Sequence, residues 1–150
     1  MEVQQIPAEP TDTPCTCAML RRTTRRVTRT YDRALRPCGL RLNQFSILAN
    51  VARDGGLSIS ALAGVLEMER TTLTRNLRPL VRSGWVLIAS SKDRRRRSVG
   101  LTQSGRALYE RALPLWRDAE RQLREGLGGD QTARLRGLLD RTLGLERAAD

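Results

Sequence analysis

Residues 70–78 read Arg70-Thr71-Thr72-Leu73-Thr74-Arg75-Asn76-Leu77-Arg78, and their polar members suit the edges of DNA bases. Arginine reaches guanine through two parallel hydrogen bonds, asparagine does the same for adenine, and threonine meets a thymine methyl or a phosphate. Between Arg70 and Ser83 there are four arginines and no acid. A merely solvated helix face usually alternates basic with acidic residues, so this run predicts a face turned towards nucleic acid. Ser58, at the entrance to the preceding helix, is grouped with Arg70, Thr71, Thr72, Thr74, Arg75, Asn76 and Arg78 as a candidate contact.

A second cluster follows in Ser91-Lys92-Asp93-Arg94-Arg95-Arg96-Arg97. Four consecutive like charges repel one another unless a counter-charge is supplied, and the segment is too polar for a core. It predicts the tip of a hairpin whose arginines suit a narrow minor groove, with Asp93 orienting Arg95 or capping the turn. Residues 69–97 carry a surplus of seven positive charges, most of the chain's net +11. All but one of the 27 basic residues are arginine, Lys92 being the exception. A GC-rich genome would raise arginine everywhere, but it does not explain one concentrated cluster.

Several chemistries are excluded. The chain has no histidine, so Ser-His-Asp and Cys-His catalysis and His-ligated metals are ruled out. It also lacks a phosphate-binding glycine loop, and no cofactor or metal is expected. Cys15-x-Cys17 is weak as a metal pair, and three cysteines argue against a secreted disulfide framework. Cys15, Cys17 and Cys38 are instead candidate redox residues. Cys15 is expected in the first turn of a helix beside Arg21 and Arg22, where positive surroundings promote thiol oxidation. A Cys15–Cys17 disulfide would be strained, which favours a bond to Cys38 or to another subunit. The competing reading makes the cysteines small apolar residues and gives the effector role to a small organic molecule, aromatic or anionic, anchored by Arg21, Arg22 or Arg25.

The elements that must position these residues are mostly helical, because aromatic residues are only 3% and leucine, valine, isoleucine and alanine must fill the core. Residues 1–13 form a loose tail. Residues 14–36 form a helix, capped by Thr13 or Thr16, with a stripe of Cys17, Leu20, Thr24, Val27, Tyr31 and Leu35. Residues 42–101 hold the reading unit. A helix starting after Asn43 is followed by one capped by Ser58, a turn at Glu67-Met68-Glu69, and a helix from Arg70 burying Leu73, Leu77, Leu80 and Val81. Pro79 should bend that helix near Arg75–Pro79 or stop it early. Strands at Trp85–Ala89 and Ser98–Leu101 flank the basic tip. Residues 102–147 give a long helix capped by Thr102 and kinked at Pro114, then one capped by Asp130. The fold class is mainly α with a small β-hairpin wing, a winged helix-turn-helix flanked by terminal helices. Their stripes, including Leu115, Leu123, Leu127, Leu135, Leu138, Leu139 and Leu143, exceed what one small domain can bury, so a homodimer is expected. No stretch reads as a membrane span or signal peptide, which points to the cytoplasm.

Leu57 to Thr102 resembles the multiple-antibiotic-resistance regulator (MarR) family. The likeness rests on Leu62-Ala63, Thr71-Thr72-Leu73-Thr74-Arg75, Leu80 with Gly84, and Asp93-x-Arg95-x-x-x-Val99-x-Leu101-Thr102 followed by Gly105. With the flanking helices it extends over about residues 17–146. The resemblance implies an obligate dimer on a pseudo-palindromic operator in double-stranded DNA, usually a repressor released by a small molecule or an oxidant. It makes Arg95 the minor-groove residue and Asp93 its supporting acid. A non-specific architectural DNA binder is the alternative, equally supported by charge but not by the Thr-Arg-Asn face. An enzyme is a distant third.

Overall fold

The computed structural model describes residues 15–90 and 97–144. Helix α1 (Thr16–Leu35) begins after Cys15, which occupies the N-cap position, so neither Thr13 nor Thr16 is the cap. Pro37 ends it as expected: a 3-10 turn, Arg36–Cys38, follows, and Gly39 at φ +67° reverses the chain. Helix α2 (Leu42–Asp54) starts one residue before Asn43. Two side chains fix that start. Asp32 of α1 accepts the Leu42 amide at 2.7 Å, and Gln44 accepts the Arg41 amide at 2.9 Å. Helix α3 (Ile59–Val65) is capped by Ser58, whose hydroxyl accepts the Ala61 amide at 3.0 Å.

Helix α4 (Arg70–Arg82) contains Pro79 without stopping there, and the Pro79 carbonyl still accepts the Ser83 amide at 3.0 Å. The lost bond frees only the carbonyl of the exposed Arg75. Leu73, Leu77 and Leu80, buried on both sides of the proline, hold the helix down. Val81, expected inside, is exposed, since it lies at the edge of that leucine sector. Strands β1 (Val86–Ser90) and β2 (Arg97–Leu101) pair antiparallel, with Val86 opposite Leu101 and Ser90 opposite Arg97. Trp85 lies outside the strand because its amide donates to Leu80 at the end of α4 and its carbonyl accepts from Thr102.

Thr102 caps helix α5 (Gln103–Leu127), accepting the Gly105 amide at 3.0 Å. Pro114 sits in α5 without dividing it, and the carbonyl it frees belongs to exposed Glu110. Helix α6 (Gly129–Gly144) begins two residues earlier than a cap at Asp130 would give, which puts Asp130 inside its first turn. The core gathers Leu35, Phe45, Ile47, Leu48, Leu62, Leu73, Leu77, Leu80, Val99, Leu108 and Ala112 from α1 to α5. Phe45 stacks on both Tyr109 and Trp116. Beyond this core, Tyr31 of α1 donates its hydroxyl hydrogen to Glu120 of α5, which also pairs with Arg136 of α6. Burial, with the Glu120 carboxylate beside it, holds the Tyr31 phenol well above its ordinary range.

The terminal stripes are buried only in part within the protomer: in α5, Leu108, Ala112 and Ala119 are buried. In α1 only Tyr31 and Leu35 are buried, whereas Cys17, Leu20 and Thr24 are exposed. Leu115 and Leu123 are half-buried, and Leu127, Leu135, Leu138, Leu139 and Leu143 are exposed, Leu138 and Leu143 at 58%. No described helix is long and apolar enough to cross a membrane.

Candidate nucleic-acid interface

The turn from α3 to α4 is built from backbone. Leu66 donates to Leu62, Glu67 to Gly64 and Met68 to Ala63, and Glu67 takes φ +47° to reverse the chain. With Leu73, Leu77 and Leu80 facing the core, a rotation of about 100° per residue carries Thr71, Arg75 and Arg78 to the opposite side of α4. Arg70 and Thr74 flank them, and all five are exposed. Thr74 donates its hydroxyl to the Arg70 carbonyl at 2.8 Å, which leaves its methyl and lone pairs outward. Thr72 and Asn76 are half-buried on the helix flanks, and the Asn76 amide touches the Met68 sulfur at 3.9 Å.

Arg82 completes the outward row. It was not singled out from the sequence, although its spacing of four from Arg78 and seven from Arg75 is the signal that finds it. None of Arg70, Arg75, Arg78 and Arg82 forms an ion pair among the described residues. Among the described residues the face is therefore four exposed cations with no acidic partner.

Ser58 has a structural task besides any contact. Its hydroxyl caps α3, its backbone bridges to Ser98, and the neighbouring Leu57 carbonyl accepts the Val99 amide at 2.8 Å. The hairpin stem is thus fastened to the start of α3. Its other side is fastened to the end of α4. The Thr102 hydroxyl donates to the Gly84 carbonyl at 2.6 Å, and the Ser104 hydroxyl reaches the same oxygen at 3.0 Å. Gly105 lets these parts close up, since a Cβ there would lie 1.9 Å from the Trp85 carbonyl oxygen. Asp93, Arg94, Arg95 and Arg96 lie outside the described residues. Arg97 is placed by its backbone alone, as the first residue of β2 opposite Ser90.

Cys15 and Cys17 are exposed at the start of α1, and Cys38 is half-buried against the core beyond its other end. Twenty helical residues rise about 30 Å. A disulfide needs Cα atoms within about 7 Å, so the expected bond from Cys15 or Cys17 to Cys38 cannot form within one protomer. Arg21, Arg22 and Arg25 are exposed on the first half of α1 and line none of the principal grooves among the described residues. No group of acidic or cysteine side chains suited to a metal occurs among the described residues.

The MarR family pattern matches residues 39–96. The multiple antibiotic resistance protein MarR of Escherichia coli (strain K12) is 31% identical over 117 residues, which make up 77% of this chain and 81% of that protein. The transcriptional regulator MosR of M. tuberculosis, solved in complex with DNA, shares 38% identity and a TM-score of 0.81, over 91% of this chain and 98% of that one. A mutant MarR from E. coli complexed with operator DNA gives a TM-score of 0.78 at 28% identity, over 85% of this chain and 92% of that one.

Proposed function

The chain belongs to the MarR family, and from that premise we propose that it is a sequence-specific repressor that binds a pseudo-palindromic operator as a homodimer. It is a winged-helix DNA-binding transcriptional regulator, not an enzyme. The observation that carries the reading is the outward face of α4, where Thr71, Arg75 and Arg78 stand exposed among arginines that have no acidic partner among the described residues. In this reading α4 enters the major groove, Arg75 reads a base edge and Arg78 and Arg82 follow the phosphates. Arg94, Arg95, Arg96 and Arg97 extend to the adjacent minor groove with Asp93 supporting Arg95.

Residues 42–101 are then the reading domain, and residues 14–36 and 102–147 the dimerisation helices. Exposed leucines at 127, 135, 138, 139 and 143, with Leu20 on α1, support that division. Full burial of a leucine gains about 1.5–3 kcal/mol, and since these six are 36–58% exposed in the protomer, covering them adds roughly half of that for each, a gain that supports a dimer. The regulator works in the cytoplasm, where its operator is. Release follows binding of a small organic effector or oxidation, for which the exposed Cys15 and Cys17 are the accessible thiols.

Electrophoretic mobility shifts with the chain's own upstream DNA test the reading. Neutralising about six to ten phosphates makes affinity fall about 10³–10⁵-fold between 50 and 200 mM salt. Arg75→Ala costs about 1–3 kcal/mol and relaxes preference at particular base pairs, while Arg95→Ala weakens binding to A·T-rich flanks. Flat salt dependence, or wild-type affinity in both variants, refutes the docking. Equal affinity for random DNA leaves the architectural reading instead.

A further inference from the structure

Away from α4, which packs on α3 and β1, four arginines converge where α1 turns into α2. Arg29, Arg33 and Arg36 follow one another at spacings of four and three, so they share one face of α1 and its 3-10 extension. The reversal at Gly39 brings Arg41 back against that face, with its guanidinium 3.9 Å from Asp32. Together they line an open groove of about 710 Å³ whose floor is the buried Leu40. That volume lies within the range of small-molecule sites.

The charge of the groove is unbalanced. Arg29, Arg33 and Arg36 form no ion pair among the described residues. The one carboxylate present is already engaged, since Asp32 accepts the Leu42 amide at 2.7 Å and so anchors the first turn of α2. Guanidinium forks match carboxylate and phosphate oxygens in pairs. Four forks around one groove exceed what a single carboxylate can occupy.

We infer that this groove binds a small metabolite carrying at least two anionic groups, a phosphate ester or a polycarboxylate, and that its occupation weakens operator binding. The regulatory half rests on the function proposed above. Residues 36–41 are the direct connection between α1 and the reading unit. An anion that takes Arg41 competes with Asp32, the residue that sets how α2 leaves α1. In a dimer built on α1, that angle sets the distance between the two α4 helices.

Isothermal titration of the reduced full-length protein with pyrophosphate and with citrate tests the site, and benzoate at matched ionic strength is the monoanion control. Pyrophosphate or citrate should bind with one site per protomer and benzoate at least tenfold more weakly. Whichever polyanion binds more tightly assigns the phosphate or the carboxylate source. Arg33→Ala/Arg36→Ala should weaken binding at least tenfold, and Arg75→Ala/Arg78→Ala less than twofold. The reverse pattern assigns the anion to α4 and overturns the site. In mobility shifts the bound anion should weaken wild-type operator binding at least fivefold, and that of the groove variant less than twofold. An unchanged shift overturns the coupling. A groove variant that already binds operator tenfold more weakly without anion assigns these arginines to DNA phosphates and overturns the small-anion inference. If no variant binds any operator while pyrophosphate still titrates into the groove, the DNA-binding reading fails and the anion site stands.

Discussion

Replacing Gly105 by alanine isolates the contact between the hairpin stem and α5. The added Cβ would stand 1.9 Å from the Trp85 carbonyl oxygen and 2.7 Å from its carbon, where real Cβ contacts essentially never fall below 3.0 Å. The backbones must therefore part by about 1.1 Å, the difference between those limits. Two opposing effects decide the sign. Alanine in a helix gains up to about 1 kcal/mol over glycine. Overpacking costs about 1–3 kcal/mol, towards the upper end because the obstacle is backbone. Moving the Trp85 carbonyl also loosens its bonds from the Thr102 amide at 3.1 Å and hydroxyl at 3.3 Å, about 1 kcal/mol more. The net expectation is a loss of about 2–3 kcal/mol. Urea unfolding followed by tryptophan fluorescence at fixed protein concentration measures it. Gly64→Ala, where a Cβ meets nothing within 4 Å, should gain up to about 1 kcal/mol by the same assay. Gly105→Ala should also weaken operator binding, since the wing is displaced. A Gly105→Ala protein as stable as wild type refutes the steric argument.

The other expectations concern the terminal helices. Because the Tyr31 phenol is held above its ordinary range, the folded state keeps a proton that the unfolded state loses from about pH 10 upwards. Its contribution is complete below that pH and falls as pH rises, so Tyr31→Phe should flatten the alkaline limb of the stability profile; an unchanged limb rejects the Tyr31–Glu120 assignment. Leu139→Asp should dissociate the dimer and abolish operator binding together, because a carboxylate in a leucine interface is costly; sedimentation of wild type as a folded monomer at micromolar concentration removes the basis of that expectation. Hydroperoxide should release operator from wild type and Cys38→Ser, and less from Cys15→Ser or Cys17→Ser; equal release from all three serine variants ends the redox reading.

Local signals in the chain were the ones that could be read directly. Ser58 and Thr102 cap their helices, and Leu73, Leu77 and Leu80 face inward, because capping and helical period depend on near neighbours. Pro37 and Gly39 likewise mark the end of α1. What escaped depends on distant partners. The start of α2 is fixed by Asp32 from another helix, and Glu120 meets Tyr31 across 89 positions. Gly105 is visible as a motif glycine, but its reason, the carbonyl of Trp85, exists only after folding. The arginine face of α4 was legible in composition, whereas its division into the outward Arg75, Arg78 and Arg82 and the flanking Asn76 required the position of the core. Of the two partners open to Cys15 and Cys17, Cys38 is removed by the length of α1 between them, which leaves a cysteine of another subunit.

Helix α5 is a rod of 25 residues, about 37 Å long, and its two ends belong to different mechanical parts. At one end Gly105 seats against Trp85, and Thr102 and Ser104 grip the Gly84 carbonyl at the foot of α4. At the other, Glu120 joins it to α1 and α6. A rod clamped in this way works as a lever. A tilt of about 5° at Glu120 displaces Gly105, about 22 Å away along the helix, by about 2 Å, more than half the rise of one base pair along DNA. The reading head can thus be moved out of register with its site while every hydrogen bond inside it stays made.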